Sequence, residues 1–257
     1  MPRNLSLKVK AERRLIALKV RGRVGTAVLL RRAVAAASKR GVNLVSDLVA
    51  ELQTKSTATT ESLFLAEQLI PDAAVPLLIA SLHMTKDKAR WTNVACALAG
   101  CKRRRGFDAL ISELTNSEAS WKRRAVAYAL SNSGRSNHHV VVALLVAAKT
   151  DTDTKVRAQA IEALASGPKS IAIHLVNFLP DASPRVRFWA AYALSQVGGK
   201  KDIPALRVLL EDDSVVRNVE IGLTKSVGEE AQWAIDEITR GSNRGAATFQ
   251  GPDQGGR

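Results

Sequence analysis

The chain holds two cysteines, four histidines and few aromatic residues, and each shortage closes a class of function. Cys96 and Cys101 have no partner cluster, which excludes a disulfide framework and fits a reducing, cytoplasmic setting. Two thiols also fall short of the four-ligand set of a structural zinc. His138 and His139 are adjacent at an expected helix start; neighbours in sequence do not share a helix face, so they read as solvated surface rather than metal ligands. His174, in an apolar helical pattern, reads as a partly buried side chain. No apolar run approaches membrane-spanning length. Gly22-Arg23-Val24-Gly25-Thr26 lacks the lysine of a phosphate loop, and no Ser or Cys stands with a readable base and orienting group. No catalytic, cofactor-binding or metal-binding residue is assigned, and no cofactor is expected.

What the chain does have is an internal repeat. Arg157, Arg187 and Arg217 lie thirty residues apart, each after a valine and each four residues after Asp153, Ser183 or Asp213. Val156, Ala160, Ala163 and Leu164 share one helix face, and Val186, Ala190, Ala193 and Leu194 repeat the offsets. Val126, Ala129 and Leu130 fit upstream, as do Val94, Ala97 and Leu98. The last copy slips: Val216 and Leu223 fit but Glu220 and Thr224 do not, as a terminal repeat with one wet side allows.

A second apolar helix follows each first one. The spacing predicts first helices near 25–39, 59–70, 87–99, 119–131, 153–165, 183–196 and 213–226. Second helices are predicted near 43–54, 74–83, 106–115, 138–149, 169–179, 202–211 and 230–239. Val75-Pro76 and Ile203-Pro204 are expected to open second helices, and Ser183-Pro184 a first one, with proline where its missing N–H is harmless. No alternating pattern long enough for a strand pair stands out, so the chain reads as all-α. A hairpin of this size cannot bury its own apolar face, and successive copies must stack.

The run from Asp153-Thr154-Lys155-Val156-Arg157 to Ala163-Leu164, echoed from Ser183-Pro184-Arg185-Val186-Arg187 to Gly198, resembles the HEAT repeat, more narrowly its short bilin-lyase-like (PBS-lyase) variety. The resemblance implies an α-α superhelix of about seven helical hairpins, with second helices lining a concave face. It does not imply one activity, since scaffolds, adaptors, a few lyases and DNA glycosylases share it. The His-Glu pairs of the iron-binding HEAT-like hydroxylases are absent. Trp91, Trp121 and Trp189 fall at different phases of first helices and are expected to fill gaps. Only Trp233 suits the concave face. A glycosylase-like or lyase-like reading would gain ground if an acid, a tryptophan and a cation converged there. The expected division is 1–24, a basic N-terminal segment and leading helix; 25–240, one continuous solenoid; and 241–257, a flexible Gly-rich tail.

Charge is uneven. Residues 1–60 carry 13 basic against 3 acidic side chains, 101–135 carry 8 against 3, and 201–257 carry 7 against 10, within a net charge of +14. Such a chain attracts polyanions non-specifically. On the repeat map, the turns inside hairpins gather Lys39, Arg40, Lys102, Arg103, Arg104, Arg105, Arg135, Lys169, Lys200 and Lys201, opposed only by Asp72. The turns between hairpins gather Asp87, Glu118, Asp151, Asp153, Asp181, Glu211, Asp212 and Asp213. Hairpins stand roughly 10 Å apart, so Lys102–Arg105 are expected to form a ridge with Arg135, His138 and His139. Helix dipoles and caps account for part of this segregation. Four consecutive cations exceed what one helix end needs, and a basic edge would dock an acidic protein or a phosphate backbone. Arg157, Arg187 and Arg217 are expected to pair with neighbouring acids such as Asp153 and Asp213.

The expected function is that of a monomeric, non-catalytic scaffold or adaptor whose partner is another protein, bound through the concave face and the basic edge. The alternative is a nucleic-acid or polyanion binder using that edge together with Arg13, Arg14, Arg21, Arg23, Arg31 and Arg32. Against it stands the shortage of exposed aromatics for base stacking.

Overall fold

A computed structural model of the chain describes residues 26–39, 43–54, 60–133, 137–218 and 223–244. Segment 1–24, Arg40, Arg135 and the tail from residue 245 lie outside the described residues. The contacts separate two compact units, Met1–Gly134 and Arg135–Arg257.

In the first unit, α1 (Thr26–Lys39), α3 (Thr60–Leu69), α5 (Lys88–Gly100) and α7 (Ser120–Ser133) are first helices, each packed on the next. Between them run the second helices α2 (Leu44–Thr54), α4 (Pro71–Met84) and α6 (Arg104–Asn116), stacked in the same way. Small side chains permit the close approach: Ala95, Ala97 and Ala99 of α5 are all buried. Leu78, Leu82, Leu98 and Leu110 are fully buried between the layers, each worth about 1.5–3 kcal/mol relative to exposure. Asp87 caps α5 by accepting from the Arg90 N–H at 2.8 Å. The start of α4 differs from expectation. Pro71 opens the helix and Pro76 falls inside it, because Pro71, with its fixed φ and missing N–H, already stands at the first helical position.

The second unit begins with α8 (His138–Thr150), a second helix, followed by α9 (Thr154–Leu164). A 3₁₀ turn (Lys169–Ile171) runs into the short α10 (Ala172–Val176); then come α11 (Pro184–Val197), a 3₁₀ turn (Lys200–Asp202) and α12 (Ile203–Arg207). The predicted first helix at 213–226 is instead an antiparallel hairpin, β1 (Val215–Asn218) with β2 (Leu223–Ser226), in register from Val215 opposite Ser226 to Asn218 opposite Leu223. The slipped repeat explains it. With Glu220 and Thr224 at core offsets, a helix here would bury polar groups, whereas Val215, Val216 and Leu223 suit a pleated surface. The final helix, α13 (Val227–Arg244), packs on α11, in the place of the missing first helix, and runs past the expected start of the tail at 241.

The regularly spaced arginines stitch the edge between hairpins. Arg157 donates to the Asp151 carbonyl at 3.2 Å and to Asp181 Oδ1 at 3.4 Å. Arg187 donates to the Asp181 carbonyl at 2.9 Å, the Ala182 carbonyl at 3.2 Å, Asp212 Oδ2 at 2.7 Å and Ser214 Oγ at 3.3 Å. Each guanidinium thus fastens its own turn and the acid of the next. The acids are Asp181 and Asp212 rather than the neighbouring Asp153 and Asp213, because Asp153 is occupied as the α9 cap, accepting from Lys155 N–H at 2.8 Å. Arg217, in β1, is exposed and makes no such bridge among the described residues; its carbonyl accepts from Arg185 at 3.0 Å. Arg123 in α7 plays the local half of the role, donating to the Ser117 and Glu118 carbonyls. Its alignment with Arg157 was readable, since Lys122, Val126 and Leu130 share the offsets of Val156, Ala160 and Leu164.

Burial alone would raise the Asp212 carboxyl; hydrogen bonds from Arg187 and Ser214 outweigh it and hold the group below its usual range. Replacing Arg187 by Met strands a largely buried carboxylate, and the expected loss is about 2–4 kcal/mol in urea unfolding. Arg217→Ala should stay within about 0.5 kcal/mol; equal losses for both would contradict the ladder. A depressed folded pKa adds stability that is full above the unfolded value of about 4 and fades as pH falls through the folded value. The stability gap between wild type and Asp212→Asn should therefore narrow below about pH 4, and a constant gap from neutral to strongly acidic pH would refute the assignment.

Candidate interaction surface

Inside-hairpin turns place the predicted cations, and the two units treat them differently. In the first unit α1 ends on exposed Lys39. Between α5 and α6 the chain reverses within a few residues. Gly100 lies so close to the Glu67 carboxylate that a Cβ there would collide with it, and Lys102 takes a positive φ of 52°. A non-glycine residue rarely adopts that backbone, which turns the Lys102 side chain out to solvent.

Arg103 precedes the first residue of α6 without a side-chain capping bond and makes a two-pronged contact with Asp72, Nε to Oδ1 at 2.6 Å and Nη2 to Oδ2 at 3.2 Å. That hydrogen bond holds the Asp72 carboxyl below its usual range. Of the four consecutive cations, one therefore staples adjacent repeats. Arg104, 3.8 Å from Asp108, is a solvated i,i+4 pair of little energy. Lys102, Arg104 and Arg105 remain exposed.

In the second unit the starts of successive second helices form a basic edge. Asn137 caps α8 by accepting from His139 N–H at 3.0 Å and Val140 N–H at 3.3 Å, leaving the His138 and His139 rings exposed, 6.2 Å apart and edge-on. Lys169 opens the next second helix, and Lys200 and Lys201 the one after; all three are exposed. Asp202 is turned inward, buried and accepting from Gly199 N–H at 2.9 Å. Among the described residues no carboxylate pairs with Lys169, Lys200 or Lys201. The Lys102–Arg105 stretch belongs to one unit and His138–His139 to the other, and Arg135 lies outside the described residues.

Beside this edge lies a groove of about 530 Å³ between α8 and the 169–176 segment, lined by His138, Val141, Val142, Leu145, Ile171 and His174 among others. His174 is exposed at this groove rather than partly buried as expected, because α10 has little more than one turn and covers less of its neighbour. Gly167 matters locally: a Cβ there would meet Ile171 Cδ1 at 2.8 Å, so glycine lets the isoleucine fold over the end of α9.

Two aromatic clusters are spent internally. Trp91 and Trp121 meet edge-on at 5.5 Å with Lys122 over both rings. In the second unit Trp233 stacks on Tyr192 of α11, interplanar angle 7°, with Lys225 Nζ 5.4 Å from the Trp233 ring centre and 2.8 Å from Glu230 Oε2. Burial raises the Glu230 carboxyl above its usual range, offset in part by Lys225. An acid, a tryptophan and a cation do converge, but against a first helix; Lys225 engages Glu230 Oε2, while Glu230 Oε1 is buried without a hydrogen-bond partner. The thiols are likewise unsuited to chemistry: burial, then the nearby Glu67 charge, pushes Cys96 up to about 11 and Cys101 up to about 12.

A family model described as HEAT repeats matches residues 75–165 and 141–224, together more than half of the chain. No curated protein matches it.

At pH 8 both thiols are protonated in the folded chain. Labelling by a disulfide reagent should run more than about tenfold slower in native than in urea-unfolded protein; rapid native labelling of either cysteine would contradict the burial.

Proposed function

As the chain belongs to the HEAT-repeat family, we propose that it is a non-catalytic scaffold or adaptor that binds another protein through the second-helix side of its repeats. One contrast within the second unit carries this reading. On the edge between hairpins, Asp181 and Asp212 are consumed by Arg157 and Arg187 and by the N–H groups of Ser183 and Ser214. On the edge inside hairpins, His138, His139, Lys169, Lys200 and Lys201 face solvent without paired carboxylates among the described residues. One edge is structural and the other is left for contact. The high-pKa thiols support a role without chemistry, and two free thiols fit a reducing, cytoplasmic compartment.

A second reading, polyanion binding, is favoured by the same unpaired cations together with Lys102, Arg104 and Arg105. The four tryptophans are engaged with other aromatic rings, leaving Tyr128 as an exposed aromatic among the described residues, which weighs toward a protein partner. A pull-down from cell extract at low and high salt, with and without nuclease, separates the two. Recovery of one protein that survives nuclease and high salt is the expected result. Loss on nuclease treatment, or a steep fall with salt accompanied by nucleic acid, would replace the scaffold by the second reading.

A further inference from the structure

The groove of the second unit is a place where exposed apolar surface and unpaired positive charge meet. Val142 is 43% exposed, Val146 53% and Ile173 65%, on the sides of α8 and α10 away from the packed first helices. Valine and isoleucine left in water at successive second helices are costly to solubility and of no use to the core. The groove floor is apolar, formed by Val141, Leu145 and Ile171, and its volume of about 530 Å³ admits a leucine or phenylalanine side chain with its backbone. No acid lines it. Its lining includes His138, and the exposed Lys169 stands in sequence between the lining residues Pro168 and Ser170.

We propose that this groove binds an acidic, amphipathic segment of a partner protein. One apolar side chain of that segment is seated between Val142 and Ile171, and its carboxylates face His138, His139 and Lys169. The inference rests on the scaffold reading and specifies its partner. Charge complementarity sets the sign: a basic peptide would meet the cations of the edge, whereas an acidic one is attracted. The lining decides against nucleic acid, because it offers aliphatic side chains and no aromatic platform other than two imidazoles. Helix-in-groove recognition reads a partner through apolar anchors one turn apart; Val142 lines the groove, and exposed Val146, outside that lining, follows it one turn on along α8.

The test uses the full chain and a displayed library of random peptides about 12 residues long. Selection runs against the wild type, with counter-selection against Val142→Asp. Since Val142 is partly exposed, this variant should keep its urea midpoint and circular dichroism. Enriched sequences are expected to be net acidic with leucine or phenylalanine one turn apart. Their affinity should fall about tenfold or more in Val142→Asp and, separately, in Lys169→Glu. Methyl resonances of Val141, Val142, Leu145 and Ile171 should shift on titration with a selected peptide. Basic or uncharged enriched sequences, binding untouched by Val142→Asp, or a single-stranded oligonucleotide shifting the same methyls equally would each overturn the proposal. If the pull-down recovers a protein that Val142→Asp retains while no acidic peptide is selected, the groove inference fails and the scaffold stands. If the pull-down recovers only nucleic acid, the scaffold reading fails with it.

Discussion

The bond on which the second unit most depends is the one from a first-helix arginine to the acid of the following turn. A stacked repeat touches only its neighbours, so nothing distant compensates for a weak junction. The edge between hairpins is also where acids accumulate, because aspartates there cap helices and close turns: Asp151, Asp181 and Asp212 each accept from the N–H two residues on. Left alone, that row would repel itself. Arg157 and Arg187 reverse the sign of the problem, joining carbonyls of one turn to the carboxylate of the next in surroundings where both partners are mostly shielded from water. The ladder ends where its acids end. Twenty-four and twenty-five residues past Arg217 stand Gly241 and Ser242, which offer no carboxylate, and there the chain abandons the first helix for a hairpin.

Much of this was readable in the sequence, and the reasons for the rest are physical. Offsets such as Val156, Ala160, Ala163 and Leu164 located the first helices to within a few residues, since a buried face repeats with the helix turn whatever the surroundings. The structural role of the arginines was legible from their period, but their partners were not. An acid adjacent in sequence competes with backbone N–H groups for its oxygens, and Asp153 goes to its cap while Asp181 reaches Arg157. The hairpin was missed because one valine and one leucine at helical offsets, Val216 and Leu223, outweighed the polar Glu220 and Thr224 in the pattern, whereas burial weighs them the other way. Pro76 misled for a similar reason: Pro71 had already begun the helix.

The candidate surface was half legible. The cations of the second unit stand where the repeat map put them, because a turn inside a hairpin must project its side chains outward. Arg103 was not separable from Lys102, Arg104 and Arg105 by sequence, as its bond to Asp72 joins residues thirty-one apart. The groove left a fainter signal, Gly167-Pro168, which stops one helix and delays the next. Nothing in the pattern distinguishes an apolar second helix that is covered from one that is not.

That uncovered face follows from where the second unit keeps its stability. Its first helices carry the buried aromatics and the arginine ladder, and α13 packs onto α11 to close the series. The second helices meanwhile shrink from thirteen residues in α8 to five in α10 and α12. Helices that short are marginal alone and persist because the first-helix layer holds them. A face that contributes little to folding is free to vary its exposed side chains. Val142, Val146 and Ile173 are tolerated in water because α9 and α11 supply the stability that they do not.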